Sequence, residues 1–167
     1  MTAGGSRQRL VVVGADAAGM SAASQARRLN QDLEIVAFER GNYVSYSACG
    51  EPYYIGGGVQ DLDDLVARTP EEFAALDIEV YTRHEVVEID RDRRRVVAVD
   101  IDGIRTEVGF DHLIMATGSK PLRPSYLKGI DLPGVVGLRT LEDAEAIKRL
   151  VDLDLGRVAI LGGGYIG

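Results

Sequence analysis

Arg9-Leu10-Val11-Val12-Val13-Gly14-Ala15-Asp16-Ala17-Ala18-Gly19 is the stretch on which the fold turns. An apolar run that stops at a glycine reads as a buried strand, so residues 9–14 are predicted as one. Residues 17–30, AAGMSAASQARRLN, read as the helix that follows, with small residues on one side. Arg27 and Arg28 fall near its C-terminal end, where the helix dipole favours cations. Residues 34–38, EIVAF, give a second strand closed by Glu39. Strand, loop, helix and strand within about 30 residues form a βαβ unit, and its strands pair in parallel.

Gly14 and Gly19 fill the first and third glycine positions of G-x-G-x-x-G, with Ala15, Asp16 and Ala18 between them. The first glycine permits a tight turn and the third lets the helix pack closely on the sheet. The helix N-terminus then offers N–H groups and partial positive charge to a pyrophosphate. Asp16 stands at the second position, where its carboxylate would repel phosphates unless the side chain turns away. Glu39 lies 20 residues beyond Gly19, the place of an acid that takes ribose hydroxyls. The alternative is a solvated Glu at a strand end. An acid here suits FAD or NAD better than a 2′-phosphorylated cofactor. Gly162, Gly164 and Gly167 complete the full three-glycine pattern after the apolar run 157–161, which is predicted as a strand. Two such sites point to electron transfer between two dinucleotides, one of them a flavin. The helix, strand and acid required by the second would lie beyond residue 167.

Between the two fingerprints, residues 41–58 read as a Gly-, Ser- and Tyr-rich loop entering a short helix around Cys49. Thr69-Pro70-Glu71-Glu72 has the signature of a helix start: Thr as N-cap, Pro in the first turn and Glu72 completing a capping box. Short strands are predicted near 78–82, 85–90, 94–100, 104–109 and 112–116, with a small antiparallel meander over roughly 85–108. The Arg91 to Arg95 run and Asp102-Gly103 supply its turns. A proline-bearing loop (Pro121, Pro124, Pro133) precedes a helix over about 141–151 with Thr140 as N-cap. The fold class is α/β, a doubly wound, Rossmann-like, three-layer domain with a β-meander.

The 167 residues can build one good core and little more. A formal charge of −7 with no basic stripe argues against nucleic acid as a partner. No stretch approaches the ~20 apolar residues of a membrane span, and the N-terminus carries no apolar signal region. A cytoplasmic location is the default expectation. The one cysteine excludes an internal disulfide framework and a multi-cysteine zinc site. His84 and His112 have no second ligand at metal spacing, so no metal is expected.

Cys49 sits in Ser45-Tyr46-Ser47-Ala48-Cys49-Gly50-Glu51-Pro52, among polar neighbours and just ahead of a helix start marked by Pro52. A lone cysteine is often inert filler. A thiol at a helix N-terminus instead has a stabilised thiolate, and with it nucleophilic and redox reactivity.

Taken together, VVVGADAAG, Glu39-Arg40, SYSACGEPYYIGG, ARTPEEF, LIMATGSKP and AILGGGYIG resemble the pyridine nucleotide-disulfide oxidoreductases. More narrowly, they are similar to the single-cysteine branch of CoA-disulfide reductases, NADH oxidases and NADH peroxidases. The resemblance runs in order through almost the entire chain. It implies FAD as bound cofactor, NAD(P)H as electron donor and a homodimer acting on a small molecule. It also implies that Ala116, Thr117 and Gly118 lie against the adenosine-diphosphate part of FAD, with Glu39-Arg40 at the same site and Cys49 at the flavin ring. Since Cys49 is the only cysteine, two cycles stay open: a Cys49–CoA mixed disulfide, or a Cys49 sulfenic acid serving peroxide or oxygen. The first would also serve persulfides. By resemblance to CoA-disulfide reductases, Gln25, Arg28 and Ser45 fall where CoA is contacted. Arg28 reads equally as a cation at a helix C-terminus. Ala48 and Asp77 depart from that group, which can carry Asn and Lys at or near those places.

The implied domains are 1–120, the first part of an FAD-binding domain; 121–152, a connecting segment with a helix; and 153–167, the first strand and glycine loop of an NAD(P)-binding domain. On this reading the sequence is an N-terminal fragment of such an enzyme. The alternative is a non-catalytic flavin- or nucleotide-binding remnant.

Overall fold

The computed structural model describes residues 7–153 and 156–164. In chain order its elements are β1 (Arg9–Val13), α1 (Ala17–Leu29), β2 (Glu34–Phe38), α2 (Glu51–Ile55), α3 (Pro70–Ala74), β3 (Ile78–Tyr81), β4 (His84–Asp90), β5 (Arg95–Asp100), β6 (Arg105–Gly109), β7 (His112–Met115) and α4 (Leu141–Asp152). Single 3-10 turns occupy Ala48–Gly50 and Leu62–Leu65. The chain divides into two compact units, 1–46 with 67–118, and 47–66 with 119–167.

In the first unit a parallel sheet runs in the order β3-β2-β1-β7. The chain winds outward from β1 to β3, then returns to the other side of β1 as β7. That reversal makes a topological switch point at the carboxyl ends of β1 and β7, where open α/β sheets bind their ligands. The near-continuous apolar runs of β1 and β2 follow from burial on both faces. Leu10, Val12, Ile35 and Ala37 pack with Met20 and Ala23 of α1 and with Phe73 and Ile78. Val11, Val13, Val36 and Phe38 face the other way, against Val96 and Ala98 of the meander. Each fully buried side chain of this size contributes about 1.5–3 kcal/mol, so the period of two along each strand glues three layers together. The meander is antiparallel, in the order β4-β5-β6. Its second turn is held by Asp100, whose Oδ1 accepts from Asp102 N and Ile104 N at 2.9 and 2.8 Å.

Helix α1 buries Gly19, Met20, Ala23 and Arg27, one stripe at helical spacing. The cation expected at its C-terminal end is therefore an internal one. Arg27 Nη1 donates to the Gln31 carbonyl at 2.8 Å and Nη2 to the Asp77 carbonyl at 2.6 Å. Asp77 has a φ of +56°, and its carbonyl is turned to the guanidinium just ahead of β3. The capping box predicted at Thr69 and Glu72 is present in both directions.

The second unit contains α2 and α4. Thr140 caps α4 through a capping box with Asp143, and Leu141 and Ala144 are buried beneath that first turn. The strand expected over 157–161 does not form: these residues carry no strand, and Val158 and Ile160 are 78% and 65% exposed. A strand needs a neighbour for its N–H and C=O groups, and no described strand pairs with this one. Gly167 lies outside the described residues. No helix among them is long and apolar enough to cross a membrane.

Candidate functional site

The glycine loop lies at the switch point and is built by backbone contact. Gly14 has a φ of +97°, and a Cβ there would meet the Ala116 carbonyl oxygen at 2.2 Å. A Cβ on Gly19 would lie 1.8 Å from the Gly14 carbonyl oxygen. Gly14 N donates to the Phe38 carbonyl at 2.9 Å, and Ala116 N to the Val13 carbonyl at 2.7 Å. The first and third fingerprint glycines thus stand where only glycine fits, beside Ala116-Thr117-Gly118. Gly118 is left-handed at φ +66°, and Thr117 and Gly118 are exposed.

Helix α1 starts directly from this loop. No side chain caps it, no acid lies in its first turn, and Ala17 and Ala18 are exposed. Over 13 residues the aligned peptide dipoles present positive charge at that end, and small side chains leave the first-turn N–H groups open to an anion.

Glu39 is locked beside the loop. Its own N–H donates to the Tyr81 carbonyl at 2.8 Å, and its carbonyl accepts from His84 N at 2.8 Å. The carboxylate reaches back across the sheet end: Oε2 accepts from Ala15 N and Oε1 from Gly41 N, each at 2.9 Å. A carboxylate has about four lone-pair directions, so acceptor capacity is left for ribose hydroxyls. Below Glu39, the Phe38 and Tyr81 rings stack at 5.5 Å. The Tyr81 hydroxyl donates to Glu79 at 2.6 Å, and that bond holds its phenol above the ordinary range. Arg40 is exposed just past the strand end.

Asp16 is the N-cap residue of α1 by position, yet its side chain makes no capping bond. Its Oδ1 instead accepts from Tyr46 N at 3.2 Å. Beside it, Ser45 N donates to the Ala15 carbonyl at 3.0 Å, and the Ser45 carbonyl accepts from Ala67 N at 2.8 Å. Ser45 itself is left-handed, φ +48°. The Asp16 carboxylate is thus turned to the backbone of the 45–46 segment and not to the helix N–H groups.

In the second unit, Cys49 is the middle residue of the 3-10 turn Ala48–Gly50 that runs directly into α2, and it is exposed. Gly50 N closes the turn on the Ser47 carbonyl at 2.9 Å, while Ser47 N donates to the Leu65 carbonyl at 2.8 Å. Gly50 is pressed against Leu65: a Cβ there would meet Leu65 Cδ2 at 2.3 Å. Leu65 and Leu62 are buried in a turn whose N-cap, Asp61, accepts from Asp63 N. Buried Leu65 thus supports the backbone that presents the thiol.

Among the remaining candidates, Gln25 and Arg28 lie together on the exposed side of α1. Gln25 Oε1 accepts from Arg28 Nε and Nη2 at 3.1 and 2.7 Å. Ser45 is held through its backbone alongside Ala15, apart from that pair's bonding. Gly162, with φ +112°, and Gly164 belong to the second unit, and both are exposed without a helix after them among the described residues. The residues that the sequence reading did not single out are Gly41 and Tyr46, which meet Glu39 and Asp16 through backbone N–H. Backbone donors leave no residue-type signal, so no pattern in the sequence marks them.

The profile of the pyridine nucleotide-disulphide oxidoreductase family matches residues 8–167. An NADH oxidase of Methanocaldococcus jannaschii is 36% identical over 161 residues, covering 95% of this chain and 36% of that protein. A coenzyme A disulfide reductase of Staphylococcus haemolyticus is 36% identical over 162 residues, covering 95% and 36%. Among solved structures, a NAD-dependent persulfide reductase from A. fulgidus superposes with a TM-score of 0.82 at 38% identity, over 88% of this chain and 28% of that one. The chain spans about a third of the length of the curated relatives it matches. With a glycine loop at the switch point, an acid docked on it and a match along nearly its whole length, the chain belongs to the pyridine nucleotide-disulphide oxidoreductase family.

Proposed function

We propose that this chain holds FAD in its first unit and presents Cys49 as the redox-active thiol of an NAD(P)H-dependent oxidoreductase. The substrates fitting that reading are a CoA disulfide, a persulfide, peroxide or oxygen, and the enzyme works as a homodimer. The observation that carries the reading is the junction of Gly14, the uncapped N-terminus of α1 and the Glu39 carboxylate.

The residues fit a dinucleotide. The loop has no Cβ at the two close approaches, the helix end offers N–H groups without a competing acid, and Glu39 has spare acceptor capacity for a ribose diol. A 2′-phosphate would meet the Glu39 charge, which favours a cofactor without one. Gly14, Ala15, Ala18 and Gly19 would hold the pyrophosphate, Glu39 and Arg40 the adenosine ribose side, and Ala116, Thr117 and Gly118 the opposite wall. Gly162, Gly164 and Gly167 would belong to the nicotinamide nucleotide's own site. When bound, the flavin would supply two-electron chemistry between a hydride donor and the oxidised form of the cysteine.

Cys49 then stands as one of two things. Bonded to a CoA sulfur, its Sγ is released with two electrons and protons as two thiols. As a sulfenic acid, it takes up two electrons and two protons and returns to thiol with loss of water. Names among the relatives support both: the Staphylococcus protein is a coenzyme A disulfide reductase and the Methanocaldococcus protein an NADH oxidase. Gln25, Arg28 and Ser45 are the proposed CoA contacts, with Arg28 free to exchange its Gln25 partner for a phosphate.

Titration of the purified chain with FAD, followed by flavin fluorescence, tests the first half; saturable binding at one equivalent is expected, and none would remove the flavin reading. Anaerobic reduction by NADH in the enzyme carrying this segment, with disulfide, persulfide and peroxide acceptors, tests the second. A Cys49→Ser enzyme that kept full disulfide and peroxide turnover would remove the cysteine from the mechanism.

A further inference from the structure

We infer that Asp16 is a positioning residue, a latch that holds the backbone at Tyr46 to the glycine loop and thereby withdraws its own charge from the phosphate site. The affinity half of this inference rests on the flavin reading above.

Position 16 is the second glycine position of the fingerprint, where a missing side chain lets phosphate come close. A carboxylate at that point, on the residue that opens α1, has two places to go. It could cap the helix, since Asp is among the best N-caps and its oxygen would take an N–H of the first turn. That would consume the donors an anion needs and put a negative charge beside it. The structure takes the other course. The Asp16 side chain makes no cap bond and its Oδ1 accepts from Tyr46 N at 3.2 Å. The neighbouring bond, Ser45 N to the Ala15 carbonyl at 3.0 Å, runs parallel to it. Two consecutive residues of the 45–46 segment are therefore tied to two consecutive residues of the glycine loop.

The tie matters because the segment is held in a costly conformation. Ser45 sits at φ +48°, a left-handed geometry that a non-glycine residue keeps only when its surroundings over-determine it. Its carbonyl is fixed by Ala67 N and its N–H by Ala15, and the Asp16 carboxylate fixes the next peptide. Asp16 thus replaces the usual glycine with a side chain that does two jobs at once. It empties the helix end of competing acceptors, and it pre-orders a loop beside the phosphate site, so that less ordering is left to do on binding.

Asp16→Gly separates this inference from the fingerprint alone. Restoring the full G-x-G-x-x-G pattern should improve phosphate approach if position 16 matters only sterically. If Asp16 is a latch, glycine releases Tyr46 and weakens FAD binding by roughly three- to tenfold, the size of one lost hydrogen bond. Asp16→Asn keeps an acceptor oxygen at the same reach without the charge, so it should restore wild-type affinity. Amide hydrogen exchange provides a readout independent of flavin: Tyr46 should exchange roughly tenfold faster in the glycine variant and at the wild-type rate in the asparagine one. The latch is overturned if Asp16→Gly binds FAD as tightly as wild type or more so, if Asp16→Asn behaves like Asp16→Gly, or if Tyr46 exchange is unchanged. A wild-type chain that binds no FAD would overturn the flavin reading and the affinity half with it, while Tyr46 exchange still decides the latch.

Discussion

The Glu39 carboxylate accepts a hydrogen bond from Ala15 N at 2.9 Å, joining the end of the second strand to the glycine loop that follows the first. The acid read from the sequence as a ribose ligand is therefore also a structural member of the loop. Its second oxygen holds Gly41 N at the same distance, which fixes where the chain leaves β2.

Glu39→Ala should consequently lower both stability and flavin affinity. Two part-buried N–H groups lose a charged acceptor, and each unsatisfied donor costs about 1–3 kcal/mol. Glu39→Gln keeps one acceptor oxygen and should recover part of the loss. Urea unfolding beside FAD titration measures the two effects; an alanine variant as stable as wild type would show that Glu39 serves only the ligand.

Gly14→Ala and Gly19→Ala should each be severe. The added methyl carbon would sit 2.2 Å from the Ala116 oxygen or 1.8 Å from the Gly14 oxygen, both backbone atoms in the crowded switch point. Overpacking against backbone costs on the order of 3 kcal/mol or more. Circular dichroism melting should register this directly, and a wild-type melting temperature for either variant would contradict the loop geometry.

Arg27→Met retains the apolar stem but removes the donors to the Gln31 and Asp77 carbonyls. A loss of about 2–3 kcal/mol is expected, since hydrogen bonds from a charged group are among the stronger ones. Arg28→Met, on the exposed side of the same helix, should change stability by no more than about 0.5 kcal/mol. Equal effects at the two positions would count against the internal cap.

Cys49 is exposed and is the only cysteine in the chain, so one thiol per chain should react with a chromogenic disulfide without denaturant. Gly50→Ala should disturb that presentation, because its Cβ would strike Leu65. The check is the reaction rate with and without urea. A thiol that reacts only after unfolding would refute the exposure.

In the meander, Asp90 Oδ1 accepts from Arg93 N at 2.9 Å, and with Arg93 and Arg95 nearby this holds its carboxyl below the ordinary range. A carboxylate lowered in the folded state stabilises above its unfolded value, and the contribution disappears as pH falls through the folded value. The affected window therefore opens at about pH 4 and extends downward. Asp90→Asn should flatten that part of the acid limb of a urea-midpoint-versus-pH curve; an unchanged limb would remove Asp90 from the acid response.

How far all this could be read in advance differs from element to element. The βαβ unit, the meander and the caps at Thr69 and Thr140 follow from local rules: apolar period, turn residues and side chains that satisfy orphan N–H groups three residues on. The stretch 157–161 has the same apolar run as β1 but forms no strand and has no pairing strand among the described residues, and pairing is not a property of the run itself. The close approaches at Gly14 and Gly19 were legible because residue type and spacing carry them, and the same spacing marked Glu39 as a proposed ribose ligand. The bonds that give those roles a shape were not. Ala15 meets Glu39 across 24 residues and Asp16 meets Tyr46 across 30, both through backbone N–H groups that look the same in every residue. The sequence by itself thus determined the elements and the chemical inventory at the loop. Tertiary structure alone decided that Arg27 is an internal cap while Arg28 stays outside, and that Asp16 turns from the helix end. Those outcomes depend on which distant carbonyl or N–H the folded sheet brings within 3.2 Å, and local pattern does not encode that distance.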